Sequence, residues 1–290
     1  MGRDVMITVG EILYTNVHPF FYHLNREKLE HRVSFIPSIP AKLNNAMAKG
    51  EIDVGAISSF SYAKNHEQYV LMPNLSVSAK GDVRSIFLFS KKPIEQLDEC
   101  DVALTHSSAT SIHLLKLLLK RFYKHENVRY ETVAPVFGDM MATFDACLLI
   151  GDDAIEAKRH HADSFYVYDL AEHWTTFTNL PMTFAVFAMR KEKLLEDPEG
   201  MHELYIEWKE SQHKNENDHY AELAKTVTND YGGTERFWQQ YFTNLRYHFL
   251  EEDQRGLLYF YQLLHEEGFL DQKIDHLNVW DIKTGIHSIT

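Results

Sequence analysis

Short apolar runs separated by polar loops fill roughly the first two thirds of the chain, and amphipathic runs with helical spacing take over after about His202. The runs Val5-Met-Ile-Thr-Val-Gly10, Val33-Ser-Phe-Ile-Pro37 and the apolar part of Glu51 to Tyr62 predict three strands. A loop at Tyr14-Thr-Asn-Val-His-Pro19 and a helix from about Phe20 follow the first strand. A second helix, with Pro40 at its start and Gly50 just past its end, precedes the third. This β-loop-α-β rhythm predicts a mostly parallel sheet covered by helices. The third strand runs into Ser58, Ser59 and Ser61, hydroxyls at the carboxyl end of a strand, where an open α/β sheet keeps its ligand.

A second series begins at Ser85-Ile-Phe-Leu-Phe-Ser90. It continues through a strand at Asp101 to Thr105, a helix from Ser108 to about Tyr123, and strands near Arg129 to Val133 and Ala146 to Gly151. With Ser85 to Ser90 and Thr183 to Met189 taken as a hinge of two crossing strands, the pattern predicts an α/β chain of two lobes with a cleft between them. Residues 1–88 and 187–290 form lobe one, including a helical C-terminal region, and residues 89–186 form an inserted lobe two. The C-terminal helices are expected at Tyr220 to Thr228, Glu235 to Phe249 and Gln254 to His265. Their aromatics, among them Phe237, Trp238, Tyr241, Phe260 and Tyr261, are expected to pack a core rather than hold a cofactor.

Composition narrows the function classes. At 290 residues the chain suits one large domain or two ordinary ones, and 44% hydrophobic residues supply a core. A net charge of −13, with no basic stripe, argues against nucleic acid or an anionic membrane as partner. The amino terminus lacks the apolar core of a secretory signal, and no run approaches a membrane span, so a cytoplasmic location is the expectation. Gly2 invites myristoylation, but its surroundings suit a buried strand. Cys100 and Cys147 stand far apart and are expected as buried thiols, without a disulfide or a cysteine-ligated metal.

Several stretches, in order, resemble the chorismate dehydratases of the futalosine route to menaquinone, which share the periplasmic solute-binding-protein fold. They are Tyr14 to Pro19, Gly50 to Ala63, Ser85 to Ser90, Leu104-Thr-His-Ser-Ser-Ala-Thr-Ser111, Leu149-Ile-Gly-Asp-Asp-Ala154, and Tyr168 to Trp174 continuing to Leu180 to Ala188. Arg84 and His106 stand where smaller residues are expected. The resemblance implies a carbon-oxygen lyase that removes water from chorismate to give 3-enolpyruvyl-benzoate, with chorismate as its small-molecule partner in the interlobe cleft. No cofactor is required by that chemistry, and the sequence shows no metal-ligand spacing; His160-His161 suits a solvated pair.

Asn16 and Ser85 are the candidate catalytic residues, Asn16 because an uncharged amide in a strand-to-helix loop can donate to the leaving hydroxyl or a carboxylate. Candidate substrate-binding residues are Ser58, Ser59, Ser107, Ser108, Ala109, Thr110, Gly151 and Asp152. Ser107, Ser108, Thr110 and Ser111 flank the first turn of an apolar helix, whose free N–H groups favour an anion, and helix capping is the simpler role for the same hydroxyls. The base is open between the substrate's enolpyruvyl carboxylate, His18, with exposure expected beside Pro19, and Asp152 or Asp153. Two other functions fit the fold: 1,4-dihydroxy-6-naphthoate synthase of the same pathway, against which the Tyr14 to Pro19 loop argues, and a non-catalytic small-anion binding protein. The sequence leaves the oligomeric state open.

Overall fold

A computed structural model describes residues 6–282. Val5, in the first expected strand, and Gly2 lie outside the described residues. In chain order, the first elements are β1 (Ile7–Ile12), α1 (His18–Phe21), α2 (Arg26–Leu29), β2 (Val33–Ser38), α3 (Pro40–Lys49), β3 (Val54–Ser58), α4 (Ser59–Lys64) and β4 (Tyr69–Ala79). Next come β5 (Ile86–Ser90), β6 (Asp101–Thr105), α5 (Ala109–Leu117), β7 (Arg129–Val133), α6 (Phe137–Thr143), β8 (Ala146–Ile150), α7 (Gly151–His161), β9 (Tyr166–Asp169) and α8 (Leu170–Thr178). The chain closes with β10 (Met182–Arg190), α9 (Lys191–Glu196), α10 (Pro198–Asn217), α11 (Ala221–Tyr231), α12 (Glu235–Asn244) and α13 (Glu251–Glu266).

The described residues fall into two compact units, one of residues 6–77, 185–250 and 276–282, the other of residues 78–184 and 251–275. The strand order of the first sheet is β2-β1-β3-β10-β4 and of the second β7-β6-β8-β5-β9. In the first, β1 runs parallel to β2 and β3, and β10 is antiparallel to β3. Every residue of β3 is buried, as a strand covered on both faces requires. Gly10 and Gly55 pair across β1 and β3, and a Cβ on Gly55 would lie 2.7 Å from the Gly10 carbonyl oxygen. Phe20, Phe187 and Trp208 fill the first unit, with ring centroids 4.5 and 4.9 Å apart along the series. Phe87, Phe89, Met140, Cys147 and Leu149 form a core in the second.

Three expectations need correction. The first strand to pass between the units is β4, not Ser85 to Ser90; β5 lies wholly inside the second unit, between β8 and β9. Pro73 and the left-handed Asn74 (φ 55°) mask β4 in the sequence, because proline cannot donate to a ladder. β4 tolerates it as the last strand of its sheet, and its Leu71 and Ser76 N–H groups donate to Asn278 and Tyr247 carbonyls. The helix expected to reach Phe249 is shorter: α12 stops at Asn244, and the Tyr247 carbonyl accepts the Ser76 N–H of β4 at 3.0 Å. Finally, α13 belongs to the second unit, not with the other terminal helices. Trp174 meets Phe260 edge-on at 5.7 Å, and Gly256 admits the Pro181 carbonyl so closely that a Cβ there would lie 2.2 Å from it.

Candidate active site

In the first unit, the loops after β1 and β3 leave the carboxyl edge of two adjacent parallel strands, the edge at which such sheets hold ligands. The β1 loop forms a 3-10 turn at Thr15–Val17. Its base is pinned by the Pro19 carbonyl, which accepts Ser211 Oγ and Asn215 Nδ2 of α10, both at 2.9 Å. Asn16 is half-buried within this turn, and its Oδ1 is buried without a hydrogen-bond partner. An acceptor in that state costs about 1–3 kcal/mol until a donor reaches it. His18, two residues on, is half-buried rather than exposed, because the α1 turn folds it against Tyr231 of α11, ring centroids 6.2 Å apart. Burial pulls its pKa below the ordinary histidine value, against the raising influence of Asp230 and of the Leu13 carbonyl.

After β3, Ser58 caps α4, its Oγ accepting the Ser61 N–H at 3.1 Å. The same oxygen accepts Asn44 Nδ2 at 3.3 Å. Those two donors leave the Ser58 hydroxyl proton as what it can offer a ligand. Ser59 is fully buried at the start of α4.

In the second unit, strand register brings the remaining candidates to one edge. β6 and β8 run parallel, Ile86 at the start of β5 pairs with Ile150 at the end of β8, and Phe87 pairs with Asp169 at the end of β9. Ser107 to Thr110, Gly151, Asp152 and Ser85 therefore share the carboxyl edge of β6 and β8. Ser108 caps α5: its Oγ accepts the Ser111 N–H at 3.1 Å and donates to Ser111 Oγ at 2.9 Å. Its hydroxyl is thus spent on the helix. Ser107 Oγ, 3.5 Å from His106 Nδ1, and the first-turn N–H groups at Ala109 and Thr110 are the groups suited to an anion. His106 is exposed and acts on the partly buried Asp153, whose carboxyl burial pushes upward.

Gly151 opens α7 at φ 60°, a left-handed conformation that suits glycine, and donates its N–H to the Ser85 carbonyl at 2.7 Å. Asp152 lies in the first turn of α7 without capping it. Ser85 is buried, and its Oγ donates to the Val83 carbonyl over a long 3.4 Å. Just before it, Arg84 sits at φ 62°, and its Nε donates to Asp82 at 2.7 Å.

Asp169 organises this corner and is absent from the sequence-derived candidates. Its carboxylate accepts four backbone N–H groups: Val83 at 3.0 Å and Arg84 at 2.7 Å on Oδ2, Ala171 at 3.0 Å and Glu172 at 3.3 Å on Oδ1. Burial pushes its pKa up to about 6, with those four donors pulling it down. The signal was present in the sequence as Asp169-x-x-Glu172 ahead of an apolar helix, a capping pattern. Among the described residues, no group of three or more His, Cys, Asp or Glu is placed to hold a metal ion. No helix there is long and apolar enough to cross a membrane.

Residues 7–266 match the family described as menaquinone biosynthesis. The chain belongs to that family. Its similarity to a chorismate dehydratase of Thermus thermophilus is 32% identity over 265 residues, 87% of this chain and 92% of the relative. Solved structures agree on the fold carried by this menaquinone-biosynthesis protein. A structural-genomics protein of Archaeoglobus fulgidus superposes with a TM-score of 0.74 at 17% identity, over 93% of this chain and 100% of that one. A Candida albicans protein described as having the generic periplasmic binding protein fold gives 0.67 at 10% identity, over 93% and 92%. The chain therefore has the expected α/β periplasmic-binding-protein-like fold.

Proposed function

We propose that this menaquinone-biosynthesis protein is a chorismate dehydratase of the futalosine route, acting in the cytoplasm. It converts chorismate to 3-enolpyruvyl-benzoate and water. The observation that carries the reading is the buried, unpartnered Oδ1 of Asn16 in the loop after β1. Such an acceptor suits a ligand hydroxyl, and the hydroxyl beside the enolpyruvyl ether is the group chorismate must lose.

The hydrogen on the ether-bearing ring carbon is acidified through the ring alkene by the carboxyl group. Its removal and departure of the neighbouring hydroxide give one water and an aromatic ring, with no change of oxidation state to be supplied from outside. In this reading Asn16 Oδ1 accepts from the ring hydroxyl and fixes its C–O bond, and Ser85 exchanges its long bond to Val83 for one to the substrate. Ser107, Ala109 and Thr110 at the start of α5, with the Asp152 N–H at the start of α7, receive a carboxylate. The Ser58 proton and Ser59 serve the substrate's other polar end. Gly151 has committed its N–H to Ser85 and contributes by shaping that corner. The enolpyruvyl carboxylate takes the proton, while the protein supplies position and electrostatics. His18, held neutral by burial, is the protein-borne alternative.

Incubation of the purified protein with chorismate, followed by mass-resolved chromatography, tests this. A product lighter by one water and identical to 3-enolpyruvyl-benzoate is expected. Unchanged chorismate with folded protein would overturn the reading, and turnover of cyclic futalosine instead would assign the 1,4-dihydroxy-6-naphthoate step.

A further inference from the structure

One residue at the second unit's site edge, Arg84, is held in a conformation its own chemistry does not favour. Arg84 adopts φ 62°, a left-handed conformation that strains an L-residue with a long side chain. The backbone N–H groups of Val83 and Arg84 lie at the turn into β5, where no strand partner takes them. Asp169 supplies both missing acceptors through Oδ2, at 3.0 and 2.7 Å, and holds the start of α8 through Oδ1. It is itself 6% exposed. A cap alone needs one oxygen, which serine provides at many helices. The second oxygen, spent across 85 positions of sequence on Arg84, is what capping leaves unexplained. From there the register is rigid: the Ser85 carbonyl takes the Gly151 N–H at 2.7 Å, and Ile86 enters the ladder opposite Ile150.

We propose that Asp169 is a positioning residue for the dehydration, acting through Ser85 by holding Val83 and Arg84 in the turn that presents the Ser85 hydroxyl. The inference rests on the reading that Ser85 serves the substrate. Ser85 Oγ spends its proton on the Val83 carbonyl at 3.4 Å, a bond weak enough to be exchanged for a substrate oxygen. The carbonyl that receives it belongs to the same peptide segment Asp169 restrains. Loosening that segment displaces the hydroxyl without removing it, and a displacement near 1 Å is enough to cost on the order of 100-fold in rate.

Asp169→Ser separates the two duties, since serine keeps a short cap on α8 but does not reach Arg84. Expected for Asp169→Ser is a fall in kcat on the order of 10- to 100-fold with KM changed less than about 3-fold. In a Ser85→Ala background the same change should cost less than about 3-fold more, because the group it positions is gone. Losses that multiply independently in the double variant, or an unchanged kcat in Asp169→Ser, would overturn the proposal and leave Asp169 a cap. Should Asp169→Ser fail to fold, as judged by circular dichroism, Asp169→Asn keeps the side chain's size and one oxygen and carries the same cycle. Failure of the underlying reading looks different: wild-type protein inert toward chorismate, or Ser85→Ala fully active.

Discussion

Asn44 and Ser58 exchange two hydrogen bonds: the Ser58 N–H donates to Asn44 Oδ1 at 3.1 Å, and Asn44 Nδ2 donates to Ser58 Oγ at 3.3 Å. Both residues are buried, so this pair ties the middle of α3 to the end of β3 and aims the Ser58 cap at α4. Asn44→Ala would strand the Ser58 N–H away from water. A loss of about 1–3 kcal/mol in unfolding free energy is expected, read from urea midpoints. A change under about 0.5 kcal/mol would mean that the Ser58 turn is held by the sheet alone.

Asn16 inverts that relationship. Its buried Oδ1 has no partner, so removing it costs the resting protein nothing and relieves a buried acceptor. Asn16→Ala is expected to leave the urea midpoint unchanged or slightly raised while chorismate turnover falls on the order of 100- to 1,000-fold. A protein equally stable and fully active would remove Asn16 from the site; one that unfolds would make it a structural residue.

His18 gives a titration with a definite sign. Burial places its folded-state pKa below the ordinary 6.5, while Asp230 opposes the shift. Its contribution to stability is therefore present above pH 6.5 and lost as pH falls through the folded value. Asp230→Asn removes a raising influence, so the His18 resonance followed by NMR should titrate lower still. An upward movement would show that Asp230 does not act on this ring.

What the sequence made legible depended on how local each signal was. Pro40 and Gly50 bracket α3 within ten residues, and Gly50 does adopt the left-handed φ of 76° that ends it. The serines after β3 and β6 land at sheet edges because strand followed by helix is a local pattern. Ser85 reached its place for a different reason than expected, at the entry of an internal strand rather than on a crossing one. β4 was hidden because Pro73 breaks the pattern and its outer partners, Tyr247 and Asn278, are remote in sequence. The placement of α13 rests on Gly256 against Pro181 and on Trp174 against Phe260, contacts no period within the helix encodes. Asp169 was legible as a cap from Glu172, but its bond to Arg84 joins residues that no local reading connects.

Asp169 also sets a pH dependence in which two physical effects compete. Four N–H donors and the start of α8 favour the carboxylate, while burial favours the acid and raises the folded-state pKa to about 6 from 3.8. With burial ahead, the folded protein binds this proton more tightly than the unfolded chain. The stability so gained is complete below pH 3.8 and is lost as pH rises through about 6. The gap corresponds to at most ~3 kcal/mol. Compared with Asp169→Ser, whose serine does not titrate, the wild-type protein should gain relative stability as pH is lowered from about 7 to about 4.5. Urea midpoints for both proteins at the two pH values read this directly, since lost hydrogen bonds shift the variant equally at each. A wild-type advantage that shrinks on acidification would mean the four donors outweigh burial, and that the carboxylate at the Arg84 turn is held charged down to low pH.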